Sequence, residues 1–319
     1  MKYVLFFLLL FSTWIQLEGS EVGITITMKS IQNTTLSHTL IDTTDKPTPT
    51  FLKLLEKMNI THNGTLQSIR DETQKAWLRP VGKERWENEK AFPHHNNDLL
   101  PLFKELLLIE KIEPVKQYYS HVVLLGATIT SVRNRLAYLI QLWESGIRFD
   151  TLIVLTGQRP LYPTIESLDL LLTDPLHLVQ FKENWSFDGQ VPSTETEMIK
   201  YIFNQTKTPK EWNVIPLIFV DTPLQKTETG EIRRPNTQDT IKEWLSLYNP
   251  HPHSILALSN QPVIGYQDAV LRRFFPLNFK IETIGDIDSK NRGISTILDS
   301  LARWIYNEVL LIEETALKK

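Results

Sequence analysis

The sequence predicts an α/β fold: a Rossmann-like, mostly parallel sheet of about five strands with helices on both faces, plus an N-terminal helical cap. Three observations carry that expectation. From His121 onward, short unbroken apolar runs recur between turn residues, as in strands buried on both faces. Between these runs lie segments whose apolar residues fall on one helical face. The alternation persists through roughly 190 residues, the pattern of a parallel sheet with crossover helices.

Met1–Ser20 (MKYVLFFLLLFSTWIQLEGS) places Lys2 before an apolar run, Tyr3–Phe11, with small or polar residues by Gly19–Ser20. That is the order of a secretory signal peptide, and the run is shorter than the ~20 residues a membrane span wants. Export is the expectation. An uncleaved N-terminal anchor is the alternative, because neither Leu17-Glu18-Gly19 nor Glu18-Gly19-Ser20 is small at both key positions.

Residues 21–118 read as a linker and helical cap. A short strand, Val22–Met28, precedes a polar stretch broken by Pro47 and Pro49. Phe51–Met58 carries Phe51, Leu54, Leu55 and Met58 at helical spacing, Leu66–Trp77 forms a second helix, and Leu99–Ile112 a third. Residues 119–319 form the sheet domain. Its strands are His121–Gly126, Thr151–Leu155, Val214–Val220, Ser254–Leu258 and Phe279–Ile284. A helix carrying Val132, Leu136, Leu139 and Trp143 stops at Gly146. An irregular insertion, 160–192, contains one helix, Ile165–Thr173. Helices then follow at Glu195–Gln205, Thr237–Tyr248, Pro262–Phe275 and Gly293–Val309.

Composition narrows function by exclusion. The 319 residues carry 34 Lys+Arg against 37 Asp+Glu, a formal net charge of −3, so the electrostatic footprint of nucleic-acid binding is missing. No cysteine occurs, which removes disulfides, cysteine-ligated metals and a cysteine nucleophile. The phosphate-cradling motifs G-x-G-x-x-G and G-x-x-x-x-G-K-[ST] and the nucleophile elbow G-x-S-x-G are absent, and no cofactor is assigned. His94-His95 with Asp98, and His251-Pro252-His253, are set aside as metal sites because neighbouring imidazoles seldom converge on one ion.

In open α/β sheets ligands bind beyond the carboxyl ends of the strands, where helix N-termini present free N–H groups. Residues just after strands therefore outrank equally polar residues elsewhere. Gly126-Ala127-Thr128 with Arg133 follows the first strand; the turn admits a ligand close to the backbone, or merely closes the strand-to-helix connection. Thr156-Gly157-Gln158-Arg159 follows the second, its guanidinium suited to a carboxylate or phosphate, or to a surface ion pair. After the third, Arg233-Arg234-Pro235-Asn236-Thr237-Gln238-Asp239 combines two cations with a helix start; Asn236 or Thr237 also serves as cap. Ser259-Asn260-Gln261-Pro262, with Tyr266 and Gln267 one turn on, follows the fourth as ligand contacts or as turn and cap. Glu195 and Glu197 open a helix, where a carboxylate favours the dipole or acts as a base; Glu195 and Asp239 are the candidate acid–base groups. Trp77 and Trp86, flanking Arg79-Pro80-Val81-Gly82-Lys83, are expected to pack a cap onto the sheet.

The order of these pieces over His121–Phe275 resembles the YdcF/SanA/ElyC-like family of bacterial envelope proteins. The family's Gly-rich turn is similar to Gly126-Ala127-Thr128, and its double-Gly turn to Thr156-Gly157-Gln158. Its Ser-Glu helix start resembles Ser193-Thr194-Glu195, and its Ser-Arg-Asn-Thr string Arg234-Pro235-Asn236-Thr237. Where the family has a His after the fourth strand, this chain has Asn260-Gln261 and Tyr266-Gln267, so any chemistry resting on that His is altered or lost. The resemblance implies a periplasmic or envelope location and a polar pocket, without a defined reaction. The expected partner is a small anionic or nucleotide-like ligand, with no nucleic acid, and membrane contact only through an uncleaved leader. The alternative is a non-enzymatic interaction protein that uses the sheet as scaffold.

Overall fold

In the computed structural model, residues 34–317 are described, apart from 89, 91, 93–95, 252 and 288–292. The signal-like segment, the strand expected at Val22–Met28 and the His94-His95 pair lie outside the described residues. The cap begins with α1 (Thr34–Leu40), α2 (Pro49–Lys57), α3 (Leu66–Trp77) and α4 (Asn96–Glu105). Thr48 caps α2 by accepting from Phe51 N at 3.3 Å with Pro49 in the first turn, and Thr65 caps α3 by accepting from Ser68 N at 3.2 Å.

The sheet domain follows as β1 (Tyr118–Leu125), α5 (Ile129–Glu144), β2 (Arg148–Gly157), α6 (Leu168–Thr173), α7 (Glu195–Gln205) and β3 (Leu217–Thr222). A small hairpin, β4 (Gln225–Lys226) with β5 (Ile232–Arg233), precedes α8 (Thr237–Tyr248), β6 (Ser254–Asn260), α9 (Ile264–Phe274), β7 (Lys280–Asp286) and α10 (Ile294–Ala316). The five long strands are all parallel, in the order β3-β2-β1-β6-β7.

The strand period of two divides β1 between two layers. Val122 and Leu124 pack with Ile129, Leu136 and Leu139 of α5 and Met198 and Ile202 of α7. Val123 and Leu125 face the other way, with Ile241 and Trp244 of α8 and Val270 and Leu271 of α9. A third cluster joins the cap to the sheet domain: Phe51, Leu54, Ile69, Trp77 and Phe103 pack with Leu298, Leu301, Trp304 and Ile305 of α10 and Ile264 of α9.

Three features depart from expectation. The apolar run Leu99–Ile112 is helical only to Glu105; Leu107 turns left-handed at φ 52°, and Ile112 pairs antiparallel with Gly285 at the edge of β7. The second half of that run covers a sheet edge instead of prolonging a helix. The β4–β5 hairpin that leads into the Arg-rich string departs from the sequence reading, since Gln225, Lys226 and Arg233 show no apolar alternation. The last helix runs on to Ala316.

The α9–α10 contact depends on a missing side chain. A Cβ added at Gly265 would lie 2.3 Å from the Trp304 ring. Gly265→Ala is expected to cost about 2 kcal/mol or more through overpacking, read as a lowered denaturation midpoint, and Gly265→Ala with Trp304→Leu should recover part of it.

Candidate functional site

Strand order reverses between β1 and β6: the chain leaves β1 toward β2 and β3 on one side and returns to β6 and β7 on the other. The carboxyl ends of these two strands diverge around a cleft of about 300 Å³, the crevice where doubly wound sheets place their ligands. Gly126, Ala127 and Thr128 form one wall and Asn260, Gln261 and Tyr266 another. Thr128 and Val263 are the N-caps of α5 and α9, and neither helix start is closed by a side-chain cap. Their first-turn N–H groups are thus left to solvent or to a ligand beside the switch point.

Six arginines and two glutamates supply the charge of the cleft lining: Arg79, Arg85, Arg135, Arg159, Arg234 and Arg303 against Glu84 and Glu195. Arg135 is buried across the switch point. Its Nε and Nη2 donate to Asn260 Oδ1 at 2.9 and 2.7 Å, while Nη1 donates to Gly126 O at 3.1 Å and to Leu125 O. Arg159 donates through both terminal nitrogens to Glu166 at 2.8 and 2.7 Å and reaches Glu195 Oε1 at 3.4 Å. Tyr162 closes the mouth. Its hydroxyl accepts from Arg234 at 2.6 Å and donates to Glu84 at 2.9 Å, and its ring meets Trp86 edge-on at 4.8 Å.

Glu195 sits at the floor against Gly126, where an added Cβ would lie 3.0 Å from its Oε1 and 2.9 Å from Leu155 O. Glycine at 126 is what allows that approach. Burial pushes the Glu195 carboxyl above its ordinary value of 4.5; Arg159 opposes the shift, Glu166 adds to it, and Arg234 and Arg135 pull back again. The carboxyl therefore holds its proton to higher pH than a free one, and its side chain has one long hydrogen bond among the described residues, from Arg159.

Of the residues singled out from sequence, Gly126, Thr128, Arg159, Glu195, Arg234, Asn236, Thr237, Asn260, Gln261 and Tyr266 line this cleft. Four others do not. Arg133 is fully buried and donates to the carbonyls of Leu170 and Leu171 at 2.8 and 2.5 Å, anchoring α6. Gly157 seats Pro235, whose Cγ would lie 2.3 Å from an added Cβ. Ser259 is buried beneath the strand end. Asp239 is spent on Arg233, at 2.6 and 3.0 Å, and on the capping box with Asn236; although burial opposes it, Arg233 and the Asn236 N–H hold its carboxyl below the ordinary value, leaving a poor base.

Arg135, Arg79, Arg85 and Arg303 were missed. Arg135 falls in an amphipathic helix, where an arginine reads as surface. Arg79 and Arg85 lie in the stretch taken as cap packing, although their density, with Lys83, over seven residues was a legible signal. Among the described residues no group of three His, Cys, Asp or Glu could hold a metal, and no helix is long and apolar enough to cross a membrane. No protein-family model matches the chain, and no curated protein matches it.

The raised Glu195 carboxyl sets a pH dependence. A folded-state value above the unfolded one means that the native state holds the proton longer, so this group lowers stability as pH rises past the ordinary 4.5. Glu195→Gln is expected to match the wild type in denaturation midpoint below that pH and exceed it increasingly toward neutrality; a difference that stays constant with pH contradicts the assignment.

Proposed function

We propose that this chain is an exported or envelope-associated protein of the YdcF/SanA/ElyC type that binds a small anionic or nucleotide-like ligand in the crevice between β1 and β6. The observation that carries the reading is the six-arginine cleft at the strand-order switch, flanked by two helix N-termini without side-chain caps. A protein of net charge −3 concentrates cationic groups there, which a purely structural sheet has no need to do. The placement of Gly126 and Arg234-Pro235-Asn236-Thr237 in the cleft lining supports the family likeness, while Asn260 stands where the family has a His. Glu195 is the group positioned to give or take a proton at the ligand. The leader-like Met1–Ser20 supports export, and N-terminal sequencing of the protein from its native cell should then find a start near Ser20–Glu21, or Met1 if the segment stays as an anchor.

A thermal-shift panel of nucleotides, sugar phosphates and small carboxylates, each beside an uncharged counterpart at equal ionic strength, tests the binding. Anions are expected to raise Tm in proportion to the logarithm of concentration, and Arg234→Ala to weaken that response roughly three- to tenfold. If no anion stabilises the protein, the reading fails and the scaffold alternative takes its place.

A further inference from the structure

Three of the cleft arginines come from the cap and the last helix. Arg79 and Arg85 belong to the cap, and Arg303 lies on α10; all three are gathered on one carboxylate, Asp299. Asp299 is completely buried, while the arginine side chains are 12%, 27% and 31% exposed, so the carboxylate lies beneath and the guanidiniums face the cleft. Arg79 donates Nη1 and its backbone N–H to Asp299 at 2.7 and 3.0 Å, and Nε to Lys83 O at 2.8 Å. Arg303 donates only Nε to a partner among the described residues, to Asp299 at 3.3 Å. Arg85 stands 4.0 Å from Asp299, and its Nε is buried without a hydrogen-bond partner among the described residues.

The arrangement leaves three positive charges facing one negative. Each guanidinium offers five N–H donors, and most of these fifteen or so have no acceptor among the described residues. Burial lowers the Arg85 guanidinium to about 10; Asp299 opposes the shift and the neighbouring Arg79 and Arg303 reinforce it. Three like charges held together at a cleft wall repel one another, and a protein that only needed to neutralise Asp299 would need one of them. The surplus matches a group with about two negative charges and several tetrahedrally disposed oxygens. A phosphomonoester fits, since its second ionisation lies near pH 6; a carboxylate, with one charge and one planar face, would leave most of the donors idle.

We infer that Arg79, Arg85 and Arg303, braced by Asp299, form a subsite for the dianionic phosphoryl group of a small phosphorylated metabolite. This rests on the anion-binding reading of the same cleft and goes beyond it, because it names the ligand's chemical class and assigns its recognition to the cap and α10 instead of the strand ends.

The test is calorimetric titration of the full chain with inorganic phosphate, sulfate and acetate at pH 7.5 and fixed ionic strength. It is repeated on Arg85→Gln, on Arg303→Gln, and on Lys226→Gln as a charge-matched change on the exposed β4–β5 hairpin. Phosphate is expected to bind at least tenfold more tightly than acetate, to lose at least tenfold in affinity in both arginine variants, and to bind Lys226→Gln unchanged. Without ligand, Arg85→Gln should melt no lower than the wild type, because it relieves repulsion and breaks no side-chain hydrogen bond among the described residues. Wild-type phosphate affinity retained in both arginine variants, acetate bound as tightly as phosphate, or sulfate strongly preferred over phosphate overturns the phosphoryl subsite while the anion-binding reading stands. Failure of the wild type to bind any of the anions overturns both.

Discussion

A guanidinium buried at the point where strand order reverses must find an acceptor for each donor it turns inward, and Arg135 finds them in the strand ends themselves. It joins the carbonyls of Leu125 and Gly126, at the end of β1, to the side chain of Asn260, at the end of β6. Losing either side would strand a buried charge, so beyond the last paired residues, Leu124 and Leu258, one side chain holds the spacing of the two strand ends. The rest of the cleft depends on that spacing: the Gly126–Thr128 turn stays open, and the starts of α5 and α9 remain beside the crevice.

Around this bridge the charges follow a hierarchy of burial. Arg159 is committed to Glu166 by a two-pronged contact, which leaves Glu195 only its long edge. Burial consequently resists the ionisation of Glu195 more than its partners reward it. Toward the mouth, Tyr162 connects the insertion to the cap through Glu84 and to the loop before α8 through Arg234. Burial pushes its hydroxyl up to about 12, against the pull of Arg234, so it remains a neutral donor over the working pH range. The cap is thereby part of the site's wall, bound both through this latch and through the apolar cluster it shares with α10.

The five-strand sheet was legible because a strand buried on both faces shows an unbroken apolar run, and His121–Gly126, Thr151–Leu155 and Ser254–Leu258 are such runs. The Leu99–Ile112 run was equally apolar, but its second half is shaped by the edge of β7, a partner far along the chain that no local pattern announces. The hairpin at Gln225–Arg233 lacks apolar alternation altogether. For the site, the strand-end rule located Gly126, Arg159, Asn236 and Asn260 because their place follows from topology alone. It also admitted Asp239 and Arg133, whose chemistry is consumed by local contacts visible only in three dimensions. Arg135 and Arg303 escape because each reaches the cleft through the packing of a helix whose neighbours are remote in sequence.

Crystals of the protein soaked in selenate, a tetrahedral dianion with its own anomalous signal, test the central claim most directly. An anomalous peak is expected inside the cleft, within hydrogen-bond distance of the arginine side chains that line it. A cleft empty of selenate, in a crystal that binds the ion elsewhere on its surface, would contradict the assignment of the β1–β6 crevice as an anion site.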